Sequence, residues 1–476
     1  METINKTINK TTNNITSKII DEIILKKLFS KADEIFKDNQ YSFLNVLSDF
    51  LKIPSISLDA SYRAECDACA NKFSDYLIKM GFKSKLIETR GNFSVFGERV
   101  VSKEKPTILI YGHYDVQPVI ESSWLTEPFE PIIIDGRMYA RGAQDNKGQL
   151  CYVLCALESL IKEGKLNYNV KIFIDGEEEC GSENTANVLE SIKDDLKSDY
   201  LLACDTGAVS EKIGGIVVGL RGIMSMDVKL MGANSGFHSG TFGGVLKNPA
   251  VELCRLIGTL HLEDGRVAVD GFYDGVLDLK DIPYDKISKF DNKKCFEITG
   301  VYPTGGETYI TNANVRSGLR PTLDILYLQA GASNEKDITN SIPPFAKAKI
   351  SCRLVGEQDP RDVFLKVKEH LEKHNKSGLK LEIIGEGSGA SSFVMSTKSD
   401  GIQKALEVLN VLCEDVKYWY EGGSIPIIAK FAKYVKNAPI LVGFGLDEDN
   451  IHADNESFSI EQFRKGFLFS YVFLGS

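Results

Sequence analysis

The chain has 476 residues, too many for one compact core, so two domains are expected. Its 43% hydrophobic and 26% charged residues are those of a globular protein, and a net charge of −10 argues against nucleic-acid binding, which needs a basic patch or stripe. No apolar run reaches the roughly eighteen residues of a membrane span, so no membrane partner is expected.

Met1 to Lys18 is rich in Asn, Thr and Lys, lacks the apolar stretch of a secretory signal, and reads as a flexible leader. Residues 20–53 and 64–80 carry apolar positions at helical spacing, and Gly81 stops the second helix. Cys66-x-x-Cys69, and the pair Cys151 and Cys155, lie in helical stretches with no second Cys/His pair near Cys66 to complete a zinc site. The ten cysteines therefore read as reduced structural thiols of a cytoplasmic protein.

From Lys105 short apolar runs alternate with helices: strands at 107–111, 170–174 and 199–203, helices near 148–164 and 182–195. That alternation predicts a largely parallel sheet covered on both faces. After Arg221 the pattern changes. Residues 224–230 and 345–354 alternate as half-exposed strands, 249–262 and 361–372 read as helices, and 380–384 as a further strand. Gly385 to Ser392 reads as a hinge. A helix near 399–413, a strand at 438–442 and a helix near 460–474 complete the chain. The predicted architecture is an α/β domain, residues 19–218 and 392–476, interrupted by an inserted α+β domain, residues 219–391.

Five loops carry candidate chemistry. Ile108-Leu-Ile-Tyr-Gly-His-Tyr-Asp115 puts His113 just past a buried strand, where ligands collect in open α/β sheets. Asp115, two residues on, can reach the second imidazole nitrogen and fix its tautomer. Asp145 sits in the Gly-bracketed loop Tyr139-Ala-Arg-Gly-Ala-Gln-Asp-Asn-Lys-Gly148 before a helix. Glu177, Glu178 and Glu179 follow the second strand; a cation stabilises one such carboxylate while a neighbour aimed at water acts as base. Asp205 ends the third strand, and His452 lies in an acidic loop after another. Alone, each has an ordinary reading, such as a helix N-cap for Asp145 or a solvated turn for the glutamates. Together they place two of only six histidines with carboxylates on one sheet edge. Such a set suits two Zn²⁺ or Mn²⁺ ions about 3.5–4 Å apart.

The order His-x-Asp, Gly-x-x-Asp-Asn-Lys-Gly, Glu-Glu-x-Gly-Ser, strand-terminal Asp and late His resembles the dinuclear zinc metallopeptidases that include cytosolic nonspecific dipeptidase, carnosinase, aminoacylase and succinyl-diaminopimelate desuccinylase. Phe237-His-Ser-Gly-Thr-Phe-Gly-Gly244, Ile350-Ser-Cys-Arg-Leu354 and Gly423-Ser-Ile-Pro426 are most similar to the carnosinase-like dipeptidases. The resemblance implies that His113 and Asp205 hold one ion, Glu179 and His452 the other, and Asp145 bridges them. It makes Glu178 the general base and the Asp145–Asn146 peptide cis. It assigns His238, Arg353, Gly423 and Ser424 to substrate binding, and makes the inserted domain a lid through which the chain forms a homodimer.

The implied reaction is hydrolysis of the amide bond of dipeptides or short peptides by a water bridging two divalent ions, Zn²⁺ first and Mn²⁺ or Co²⁺ as alternatives, with Glu178 taking its proton. The nearest alternative is an N-acyl amino acid deacylase, against which Asp205 and the lid motifs count. A silent metal-binding protein on the same scaffold is a third reading, countered because every expected catalytic position is filled. A structural Ca²⁺ loop at Asp447 to Asp454 lacks EF-hand spacing.

Overall fold

A computed structural model describes residues 2–331, 340–385, 387, 389–422 and 426–476. The chain divides into two compact units, one of residues 1–217, 395–418 and 425–476, the other of 218–394 and 419–424.

In the first unit, sheet order is Lys83–Ile87, Ser94–Arg99, Asn169–Asp175, Thr107–His113, Tyr200–Ala203, Ile440–Leu441. The last four strands are mutually parallel. The first two run antiparallel at the edge. Every residue of Asn169–Asp175 is buried, which requires cover on both faces. Helices Lys147–Glu163 and Ile460–Gly475 pack together, and Glu2–Leu51 packs against both. Arg63–Lys79 packs on the antiparallel edge strands. The capping follows the residues. The Ser459 hydroxyl accepts from Gln462 N–H to start the last helix, and Gly164, at φ 66°, closes Lys147–Glu163.

The second unit is an antiparallel sheet ordered Thr322–Ala330, Phe345–Leu354, Gly222–Met231, Lys380–Ile384. Met224, Met226, Val228 and Leu230 alternate inward and join a core with Leu253 and Leu256 of helix Pro249–Ile257 and Val363, Val367 and Leu371 of helix Pro360–His374. The mixed α/β class, with a mostly parallel sheet and an inserted α+β unit, is therefore found.

Several elements differ from expectation. The helix predicted from residue 20 starts at Glu2, so the stretch read as a leader is helical. The helix expected over 182–195 is broken into Glu183–Val188, the 3₁₀ turn Leu189–Ile192 and Lys193–Leu196. Asn184, Asn187, Ser191, Asp194 and Asp195 are weak helix formers, and the Ser191 hydroxyl donates to the Val188 carbonyl. The strand expected at 438–442 is only Ile440–Leu441. At the end of the hinge stretch, Gly389–Ala390 pairs with Met224 and Ile223. Strand Thr322–Ala330 was missed because a register shift between Ile325 and Tyr327 breaks its alternation.

Candidate metal centre

The first unit brings the candidate ligands to the carboxyl ends of its parallel strands. His113 is the last residue of its strand, Asp175 the last of the next, and Asp205 follows Tyr200–Ala203 by two residues. His452, at φ 60°, lies in the loop beyond Ile440–Leu441.

Two groups could each hold a metal ion: His113, Asp145 and Asp205, and Asp145, Glu179 and His452. The Asp145 carboxylate belongs to both. Its Oδ1 lies 3.0 Å from His113 Nε2 and its Oδ2 2.9 Å from His452 Nε2. His113 Nε2 is also 3.5 Å from Asp205 Oδ1, and His452 Nε2 is 3.1 Å from Glu179 Oε2. The Asp145–Asn146 peptide is cis.

The electrostatics reveal a surplus of negative charge. Burial pushes the Glu178 carboxyl well above the usual range, and although His113 opposes this, Asp205, Asp145 and Asp115 add to it. Burial and Asp145 raise Glu179 as well. His452 is pushed up to about 10 by its hydrogen bonds to Asp145 and Glu179. In His113, the surrounding carboxylates of Asp205, Asp115 and Asp145 override the effect of burial and raise it. Carboxylates that must either take up protons or hold cationic imidazoles are what divalent cations neutralise, displacing those protons. The residues fit a dinuclear site.

Asp115 does more than orient His113. The Nδ1 atom of His113 is 3.1 Å from the Asp115 backbone carbonyl and 3.4 Å from its Oδ1, so the backbone oxygen is the nearer partner. The Asp115 carboxylate accepts the N–H groups of Glu178 and Glu179, both at 3.1 Å, and the Ser57 hydroxyl at 2.6 Å. It thus holds the base candidate and a ligand candidate by their backbone. Glu177, the first of the three adjacent glutamates, is buried, and its Oε1 accepts from Asn92 N–H and Asn184 Nδ2.

Sequence reasoning missed four supports. Glu456, fully buried, accepts from Arg141 Nη1, Gly142 N, Gln144 N and Asp145 N at 2.8–3.1 Å. Asn146 donates to Asp205 Oδ1 at 2.7 Å and to Cys204 O at 2.8 Å. Gln117 donates to Glu179 Oε2 at 2.8 Å. Lys147, with no exposed surface, donates to the carbonyls of Phe50 and Ile53. Asn146 and Lys147 stand in the Asp-Asn-Lys-Gly motif without their partners being visible there, Glu456 is an acid near His452 complementary to the Arg141 of the Asp145 loop, and Gln117 left no signal.

Residues 109–474 match the model of Peptidase family M20/M25/M40. The chain belongs to this family. This M20 peptidase is 29% identical over 471 residues to the Cys-Gly metallodipeptidase dug1 of Schizosaccharomyces pombe, covering 93% of this chain and 97% of that one. It is 30% identical over 386 residues to the Beta-Ala-His dipeptidase of Homo sapiens, covering 78% and 75%. Among solved structures it is similar to human carnosine dipeptidase 1, with TM-score 0.78, 25% identity and coverage of 95% and 98%. It is also similar to the M20 family metallo-carboxypeptidase Sso-CP2 from Sulfolobus solfataricus, with TM-score 0.79, 30% identity and coverage of 91% and 98%.

The other expected site residues of the M20 chain lie in its second unit or fall outside the described residues. His238 is exposed, pairs across strands with Ser341, and has Nδ1 3.5 Å from Thr241 Oγ1. Arg353 is half-buried on Phe345–Leu354, between Ile223 and Thr322. Gly423 and Ser424 lie outside the described residues.

Proposed function

We propose that this M20 peptidase hydrolyses dipeptides at a two-metal centre formed by His113, Asp145, Glu179, Asp205 and His452, with Glu178 as general base. The observation that carries the reading is the Asp145 carboxylate, one oxygen toward each histidine, shared by two ligand groups. Relatives whose names are those of dipeptidases support the substrate class.

Two divalent ions held there, zinc foremost, supply Lewis-acid chemistry that acidifies water and polarises the scissile carbonyl. The chain's residues do the rest. Glu178, raised by burial and among carboxylates, accepts the proton of the attacking water and passes it to the leaving amine. Asp115 keeps Glu178 and Glu179 in place through their backbone N–H groups. By resemblance, His238 donates to the developing oxyanion, Arg353 clamps the substrate carboxylate, and Gly423 and Ser424 hold its terminal group. The first unit is the catalytic domain in this reading. The second is a lid that pairs two copies into a homodimer. All ten cysteines are free, which supports a cytoplasmic setting, and no described helix is long and apolar enough to cross a membrane.

The test is hydrolysis by protein reconstituted with Zn²⁺, Mn²⁺ or Co²⁺, comparing unblocked dipeptides with N-acetyl and N-succinyl amino acids. Faster turnover of the blocked substrates would replace the dipeptidase reading with a deacylase one.

A further inference from the structure

The second unit has a half-open cavity of about 670 Å³, a volume typical of small-molecule sites. Three guanidinium groups, Arg221, Arg316 and Arg320, reach its wall, against two carboxylates, Glu307 and Asp324. One pair cancels: Arg320 binds Glu307 through two hydrogen bonds, 2.5 and 3.1 Å long, and both are buried. Asp324 is exposed and accepts from the Thr322 hydroxyl at 2.9 Å.

Arg221 and Arg316 form no ion pair among the described residues. Arg316 spends one N–H on the Pro303 carbonyl. Arg221 donates through Nε to the Gly422 carbonyl at 2.9 Å, while its buried Nη1 has no partner among the described residues. The backbone next to Arg316 adjoins Arg221. A Cβ built on Gly422 would stand 3.3 Å from Arg221 Nη2 and 3.4 Å from the carbonyl of Ser317, the residue after Arg316. Burial and the neighbouring Arg353 push Arg221 down to about 10, partly offset by Asp324 and Glu421.

We propose that this cavity is a binding site for a small organic anion, its carboxylate or phosphate held by Arg221 and Arg316. A guanidinium fork matches either oxyanion in planar, charge-assisted geometry, and Arg221 and Arg316 are the two on this wall without a carboxylate partner among the described residues. The volume exceeds that of an inorganic ion, and Val267, Phe290 and Leu323 offer apolar wall for an organic body. The site lies within the second unit and does not depend on the metal reading.

The experiment is calorimetric titration of the metal-loaded full chain with succinate and, separately, glycerol 2-phosphate, against potassium chloride of equal ionic strength. Saturable binding of either probe is expected, and which one binds names the oxyanion. Arg316→Gln should weaken it about tenfold or more, a loss of roughly 1.4 kcal/mol. Arg221→Lys, which keeps the charge and loses the fork, should weaken it too and serves if Arg316→Gln melts early. Asp145→Asn should leave it unchanged. Absence of saturation with both probes, unaltered affinity in the arginine variants, or loss in Asp145→Asn would overturn the proposal.

Discussion

Glu456 lies beneath the loop that carries Asp145, its Oε1 accepting the Asp145 N–H at 3.1 Å and the Gln144 N–H at 3.0 Å while Oε2 takes Gly142 N–H and Arg141. A carboxylate offers acceptors on both oxygens; a carboxamide turns a donor toward one pair of donors. Glu456→Gln is expected to weaken metal binding about 10–100-fold. Competition against a chelator of known affinity checks it, and unchanged metal affinity would show that the loop holds its shape without this group.

Glu178→Gln removes the proton acceptor and leaves the ligand candidates intact. Turnover should fall by about 10²–10⁴ while two metal equivalents remain bound by elemental analysis. Wild-type turnover in the metal-loaded variant would take the base role from Glu178.

Without cations, Asp145, Glu178, Glu179 and Asp205 crowd one another. Dialysis against a chelator should abolish hydrolysis and lower the melting temperature, and restoring two equivalents of metal should recover both. Free metal at 100 times its dissociation constant stabilises by about 2.7 kcal/mol per site. A melting temperature indifferent to metal would contradict a bound pair.

Asp115→Asn replaces one of the oxygens that accept Glu178 and Glu179 N–H by a donor. The expected result is a fall in kcat of about 10–100-fold with a smaller change in KM, measured by steady-state kinetics on a dipeptide.

A pH effect is expected far from the centre. Lys404 lies beside the stacked rings of Tyr168 and Phe473, 4.9 and 5.1 Å from their centroids, and burial pushes its ammonium down to about 8 from 10.5. Below pH 8 both folded and unfolded chains hold the proton, so folding bears the whole cost of the buried charge. Between 8 and 10.5 the folded state releases its proton first and the cost is relieved. Urea unfolding of the wild type should therefore gain stability over that window relative to Lys404→Met; parallel profiles would refute it.

What could be read beforehand divides along physical lines. His113, Asp145, Glu178, Glu179, Asp205 and His452 were legible because each follows a strand or opens a helix within a short motif, and because their order matches a family. Glu456 and Asn146 were not, since their meaning lies in partners far along the chain: Glu456 serves residues more than 300 positions earlier, and Asn146 serves Asp205. Asp115 was recognised for proximity to an imidazole, but spacing could not tell its carboxylate from its carbonyl, nor reveal the backbone N–H groups it accepts. In the second unit, regular alternation exposed Phe345–Leu354 to its last residue, while a register shift hid its neighbour Thr322–Ala330.

The loop of Asp145 rests on Glu456, and the second ligand group is closed by His452, whereas His113 comes 339 positions before His452. A ribosome adds residues 452 and 456 only after the segments that carry His113, Asp145 and Asp205, at about 5–20 residues per second. The two candidate ligand groups are therefore completed only once residues made much later have packed against the Asp145 loop.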